Sequence, residues 1–153
     1  MRIKRVHVTR LIAHVNRKQW WHVTPADPAA YQKRGKFYAS SFREAEFYGR
    51  PNDLPERVSI ANPFVCDSLS IEKELLGRVA TYEGIGFREI AAIDARLRSA
   101  ALRRGFDSIV LLSKSGLRSF RATGKIPRNI ELNILNPADS LLRTTRCRAT
   151  QAR

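Results

Sequence analysis

Three short stretches hold the side chains whose chemistry stands out from an otherwise ordinary chain: Gln19-Trp20-Trp21-His22, Phe37-Tyr38-Ala39 followed by Tyr48, and Glu131 inside the apolar run Ile130 to Leu135. A fixed carboxylate stabilises a sugar carbon on which positive charge develops as its bond breaks, and it can hold a neighbouring hydroxyl. An aromatic ring stacks on a flat group and attracts it when that group is cationic. An imidazole that bonds a hydroxyl positions a substrate without acting as a base. Taken singly, each residue has a plainer reading: Glu131 as the outward residue of an amphipathic strand, Tyr48 as a core aromatic, His22 as a satisfied structural histidine. His7 and His14 receive only that plainer reading.

The elements that must position these groups alternate between strands and helices, with no internal repeat. Gln19 to Val23 predicts a buried strand, ended by Thr24-Pro25 and the turn-rich Asp27-Pro28. Lys36 to Ser40 predicts another. Ser41-Phe42-Arg43-Glu44 has the form of a capping box, in which hydroxyl and carboxylate each satisfy a backbone donor. A short helix is therefore expected to carry Tyr48 until Gly49 and Pro51 stop it. Arg57 to Val65 reads as a strand interrupted near its end by Asn62-Pro63, and Ser70 to Leu76 as a short helix closed by Gly77. Tyr82-Glu83-Gly84-Ile85-Gly86 reads as a loop whose Gly-x-Gly lacks the preceding strand of a dinucleotide-binding turn. Arg88 to Arg104 is the clearest helix, with Ile90, Ile93, Leu97, Ala100 and Ala101 on one face and Gly105 as its cap. Phe106 to Leu112 and Ile130 to Leu135 are apolar strands joined by a basic loop. Several mixed α/β or α+β arrangements fit this order.

Length and composition set the bounds. A chain of 153 residues with 43% hydrophobic content suits one domain, taken as residues 1–142, with a basic tail over 143–153. That tail carries Arg143, Arg146, Arg148 and Arg153 with little apolar content, and is expected to be loose. A formal charge of +14, from 28 Lys and Arg against 14 Asp and Glu, points to a polyanionic partner or substrate, with an acidic protein as the plainer alternative. Cys66 and Cys147 have no metal-ligand spacing and make no disulfide framework, which fits a reducing cytoplasm. No stretch approaches the ~20 apolar residues of a spanning helix. The expectation is a soluble, non-secreted protein, although the Arg-rich start with no acidic residue before Asp27 also fits a transit peptide.

Trp21-His22 on a first strand, Phe37-Tyr38-Ala39 followed by Tyr48, and Glu131 on a late strand resemble the His-Tyr-Glu signature of the diphtheria-toxin and poly(ADP-ribose) polymerase branch of the ADP-ribosyltransferases. The step from Ala39 to Tyr48 is similar to that in the polymerases. Val58-Ser59-Ile60-Ala61-Asn62-Pro63, Gly105-Phe106-Asp107-Ser108-Ile109-Val110 and Glu131 followed by Asn136-Pro137 resemble segments of small bacterial and phage proteins of that fold. Together these cover most of residues 19 to 138.

The resemblance implies an α+β fold of two packed, mainly antiparallel sheets that form an NAD cleft with flanking helices. It implies NAD as the ADP-ribose donor and no metal. Glu131 would be the catalytic carboxylate beneath the ribose, Tyr48 would stack on nicotinamide, Tyr38 or the adjacent Phe37 would form part of the pocket floor, and His22 would bond a ribose hydroxyl. The small Ser of the family pattern falls at Ala45, so its hydroxyl contact to the nicotinamide amide would be either lost or supplied by Ser40 or Ser41. Asn129 stands where arginine-directed and some guanine-directed transferases carry Gln or Glu, which disfavours arginine as acceptor while leaving Asn129 able to touch another one.

The loop before the late strand holds Lys114, Arg118, Arg121, Lys125 and Arg128, with Phe120 among them and no acidic residue between Asp107 and Glu131. Cations that track phosphates beside a ring that stacks a base are the equipment of a single-strand reader; a solvated basic loop is the plainer reading. Arg2, Lys4, Arg5, Arg10, Arg17 and Lys18 extend the positive surface. The expected activity is mono-ADP-ribosyl transfer from NAD to RNA or single-stranded DNA, in the setting of a toxin–antitoxin or phage-defence toxin with an acidic antitoxin protein as partner. Two rivals are the same chemistry on a protein target and a catalytically silent, basic nucleic-acid-binding module of the same fold. A nuclease fits least, because no paired acidic metal site or His–His acid–base pair is visible.

Overall fold

The computed structural model describes residues 2–78 and 85–137. Six helices and six strands follow one another as α1 (Arg5–Arg17), β1 (Gln19–Trp20), α2 (Ala30–Arg34), β2 (Lys36–Ala39), α3 (Phe42–Glu46), β3 (Glu56–Arg57), β4 (Pro63–Asp67), α4 (Ile71–Leu76), α5 (Phe87–Arg103), β5 (Ser108–Leu112), α6 (Lys114–Thr123) and β6 (Glu131–Ile134). The architecture is α+β with two mostly antiparallel sheets. A four-stranded sheet runs in the order β2-β6-β5-β4, and β1 pairs β3 in a two-stranded ribbon. Only β4 and β5 run parallel, and the chain between them passes through α4 and α5.

The two sheets meet edge to edge rather than face to face. Trp21 forms an antiparallel bridge with Ala39, each amide bonding the other's carbonyl, and this links the ribbon to the β2 edge. The expected strand over Gln19 to Val23 is thus shorter, because past Trp21 the chain leaves for the turn at Asp27. The expected strand Arg57 to Val65 is two elements. Residues 58–62 are drawn out of any ladder by other partners: Ile60 exchanges two hydrogen bonds with the Asn16 side chain, and the Asp107 carboxylate accepts from the amides of Ala61 and Asn62.

Strand alternation divides the core. Val110, Leu112, Leu132, Ile134 and Tyr38 face a cluster built with Leu11 and Val15 of α1 and Leu117 and Phe120 of α6. Ile109 and Leu111 turn the other way, towards Ile71 and Leu75 of α4 and Leu97, Ala100 and Ala101 of α5. The helices α4 and α5 lie close to their expected spans, and the left-handed Gly77 (φ 69) closes α4.

Three helices stand where none was expected: the short α2 (Ala30–Arg34), α1 and α6. Helix α1 spaces Leu11 and Val15 four apart on its buried face, but Lys4 makes no side-chain cap and no acidic residue opens the helix, so the usual start signals are missing. The expected basic loop is largely α6. Ser113 caps it by accepting from the Gly116 amide, Leu117 and Phe120 fill its buried face, and Gly124 ends it in the left-handed region. That burial corrects one expectation outright: Phe120 is 0% exposed, in ring contact with His7 across the α1–α6 seam, and offers no face to a base. The segment Tyr82 to Gly84, Cys147 and the tail over 143–153 lie outside the described residues, so the loop and tail expectations are not addressed by these elements.

If Phe120 is a core residue and not a stacking platform, Phe120→Ala should cost about 3–5 kcal/mol of unfolding free energy, read from the urea midpoint at unchanged m-value.

Candidate functional site

Glu131 stands in register with Ala39 on β2 and Leu111 on β5, and two residues on, Asn133 stands opposite Phe37 and Ile109. Side chains two apart share a face, so Glu131, Asn133, Phe37, Ile109 and Leu111 all look towards α4 and α5. There they line a cavity of about 90 Å³, closed on the helical side by Ile71, Asp94 and Leu97. Clefts that take up whole drug-sized ligands measure roughly 300–1,000 Å³. This one holds a single ring or a group of that size.

Tyr48 reaches the same carboxylate from the far end of α3, its hydroxyl donating to Glu131 Oε1. The helix ends at Glu46, so Tyr48 sits in the turn beyond it, not on it. The residue as a whole is 62% exposed, with its hydroxyl engaged by Glu131. Burial, then the bond to Glu131, then the carboxylates of Asp94 and Glu44 push that phenol well above its ordinary range. It stays a proton donor at any physiological pH.

The two serines expected near the donor are committed to this arrangement. Ser41 caps α3 by accepting from the Glu44 amide. The Glu44 carboxylate does not return the bond to backbone; it takes one from the Ser40 hydroxyl at 2.5 Å, and Ser40 Oγ in turn accepts from the Ile130 amide at 3.2 Å. Ser40 thereby ties α3 to the residue before Glu131. Ala45 is buried and adds no polar contact.

Asp94 escaped the sequence reading, though its position was a signal. It lies four residues after Ile90 and three before Leu97, on the apolar stripe of α5. Burial, with Glu72 and Glu131 adding to it and Arg34 opposing, raises its carboxyl to about 6. Glu72 is itself only 1% exposed, bonded through Oε2 to Arg78.

His22 belongs to a different environment. Trp21 and Ala39 form the hydrogen-bonded pair of the bridge, so His22 follows on the face of Tyr38, with ring centroids 5.3 Å apart. That face looks into the α1–α6 core, across the sheet from Glu131. Its Nδ1 lies 2.7 Å from the Phe37 carbonyl and its Nε2 2.7 Å from the Tyr31 hydroxyl. A carbonyl only accepts, so Nδ1 carries the proton and Nε2 accepts from Tyr31. Burial, with the Lys36 charge adding to it, holds the imidazole below its ordinary pKa despite the Phe37 bond and the Glu56 charge. His22 is neutral and has no nitrogen to spare. Tyr38 points the same way and donates to Glu56 Oε2 at 2.8 Å, beside the Lys36–Glu56 ion pair at 2.9 Å. Of the two aromatics on β2, Phe37 lines the cavity and Tyr38 does not.

The expected group of three is thus assembled as two. Tyr48 bonds the Glu131 carboxylate, which itself lines the cavity, and His22 reaches it only through the Phe37 carbonyl. The basic residues of α6 are also remote from it, because α6 packs on the opposite face of the sheet. Lys114, Arg118 and Lys125 are exposed and Arg121 half-buried there. Arg128 and Asn129, both exposed, are the members of that set that run directly into β6 and Glu131. Comparison with protein-family models, with curated proteins and with solved structures finds no match to this chain.

Because the Asp94 carboxyl titrates near 6 in the fold and near ~3.9 in an unfolded chain, the folded state binds more protons in that interval. Stability should therefore fall as pH rises from about 4 to about 6, by on the order of 2–3 kcal/mol. Asp94→Asn should flatten this part of the curve, as measured by urea unfolding at pH 4 and pH 7.5.

Proposed function

We propose that the chain is a mono-ADP-ribosyltransferase that uses NAD as donor and a nucleic acid, RNA or single-stranded DNA, as acceptor. The observation that carries the reading is the Tyr48–Glu131 contact: two residues 83 apart in sequence, each singled out by residue type and order, are bonded to one another where Glu131 lines a small cavity. In this reading the pyridine ring occupies the cavity against Phe37, and the exposed ring of Tyr48 covers it. The Glu131 carboxylate lies beneath the ribose, where positive charge develops as the bond from C1′ to nicotinamide lengthens. The nicotinamide nitrogen leaves with the bonding pair, a nitrogen or oxygen of the acceptor bonds to C1′, and the acceptor's proton passes to solvent or to a carboxylate. Tyr48 holds one oxygen of Glu131 and so fixes which oxygen faces the sugar. His22 acts as a positioning residue, setting the strand edge that bears Phe37. Arg128 and Asn129, exposed and just ahead of β6 in the chain, would be the first to meet an acceptor that approaches the carboxylate.

The biological setting that accompanies this reading is that of a small toxin of a toxin–antitoxin or phage-defence system, whose basic surface suits an acidic antitoxin. A protein acceptor would leave the donor chemistry unchanged. A second reading, a nucleic-acid-binding module without catalysis, is favoured by one specific observation: both nitrogens of His22 are occupied on the face away from the cavity.

Incubation with NAD labelled in its adenylate phosphate, together with RNA, single-stranded DNA and lysate protein, separates these readings. Label that nuclease removes supports the proposal, label that only protease removes transfers it to a protein acceptor, and no label on any polymer favours the silent module. Glu131→Gln should lower the rate about 10²–10³-fold while moving unfolding free energy by less than about 0.5 kcal/mol, as expected for an exposed side chain.

A further inference from the structure

Helices α1 and α6 come from opposite ends of the sequence and touch at His7, which lies against the Phe120 ring and where a Cβ on Gly124 would stand. Both present cations to the outside. On α6 the sequence places Lys114, Arg118 and Arg121 four and three residues apart, which is one stripe of the helix. On α1, Arg10 and Arg17 fall seven apart on another, and both are exposed. No acidic residue occurs before Asp27 or between Asp107 and Glu131, so neither helix carries its own counter-charge. Among the described residues the ion pairs are Lys36–Glu56 and Arg78–Glu72, and neither involves α1 or α6.

Two details register this uncompensated field. The His14 imidazole on α1 is held below its ordinary pKa by burial and then by the charges of Lys18 and Arg17. Arg121 Nε is buried and finds no acceptor among the described residues.

We propose that the α1–α6 face is a nucleic-acid-binding surface that grips the phosphate backbone without regard to base sequence, on the side of the sheet opposite the Glu131 cavity. The absence of an aromatic decides against base reading. Phe120, the ring of α6, is wholly buried, so this face has cations and hydroxyls but no stacking platform. Its apolar residues decide against the other polyanions. Leu11, Val15, Leu117 and Phe120 are buried in the core, and of the large apolar side chains on these two helices only Val6 stands exposed at 59%. A membrane-surface helix needs an apolar face to insert, and a protein partner needs a desolvated apolar centre. A phosphate backbone needs neither.

The test is fluorescence anisotropy of the full chain with labelled oligonucleotides of scrambled sequence, over a series of salt concentrations and without NAD, so it stands apart from the transferase reading. Log affinity should fall linearly with log salt, and for a single strand each phosphate contact contributes about 0.7 to the slope. Arg10→Gln with Arg17→Gln, and separately Lys114→Gln with Arg118→Gln, should each lower the slope by about 1.4. Base composition should change affinity little. All four side chains are exposed, so the variants should keep the wild-type melting curve. Unchanged affinity and slope in both pairs would overturn the proposal, as would binding confined to anionic vesicles or to polyglutamate with none to the oligonucleotides.

Discussion

The position of β6 between two antiparallel neighbours is the constraint on which everything else depends. Its four residues pair with β2 on one side and β5 on the other, in the row Ala39, Glu131, Leu111 and the rows that follow. With both edges paired, the strand cannot slip. A shift by one residue would carry Glu131 and Asn133 into the α1–α6 core and expel Leu132 and Ile134, which are 1% and 3% exposed. The burial of two aliphatic side chains therefore fixes the direction in which the carboxylate points. The bond from Ser40 to the Ile130 amide fixes where the strand begins.

Around that strand the polar groups fall into two sets that the sheet keeps apart. On the cavity side are Asp94, Tyr48 and Glu131, an acidic group in a strongly basic protein, with the Asp94 proton retained to about 6 by burial and neighbouring carboxylates. On the other side His22, Tyr31, Tyr38, Glu56 and Lys36 satisfy one another. Burial alone would raise the Glu56 carboxyl, yet its bonds to Lys36 and Tyr38 outweigh this and hold it low. That chain ties β2 to the ribbon of β1 and β3 and leaves nothing for a ligand. A histidine with two satisfied nitrogens rigidifies the edge from which Phe37 projects.

The charge distribution follows the same division. Cations on α1 and α6 lie on the face whose large apolar residues, Val6 apart, are spent on the core, while the carboxylates gather beneath α5. The two sides of the sheet therefore carry fields of opposite sign. The sheet lies between the two.

Much of this was legible in the residues themselves. The alternation in Ile130 to Leu135, the apolar stripe and end of α5, the Ser70 to Gly77 helix and the Ser41 cap are local patterns, and local patterns survive folding because backbone satisfaction and period are decided within a few residues. The types at Tyr48 and Glu131 were also readable as a pair worth bringing together. What the chain could not disclose was which face each group would take. His22 and Glu131 lie on opposite sides of the sheet because the Trp21–Ala39 bridge sets the phase of one strand edge and the β6 register sets the other, and both are long-range pairings. Phe120 read as a stacking ring because nothing nearby in sequence covers it; what covers it is α1, more than a hundred residues away, a helix that opens without a cap. Asp94 gained its proton, and Lys114 and Arg118 their distance from the cavity, in the same way. Residue types and periods belong to the sequence, but the side of a sheet on which a side chain arrives is settled only when distant strands and helices compete to bury their apolar faces against it.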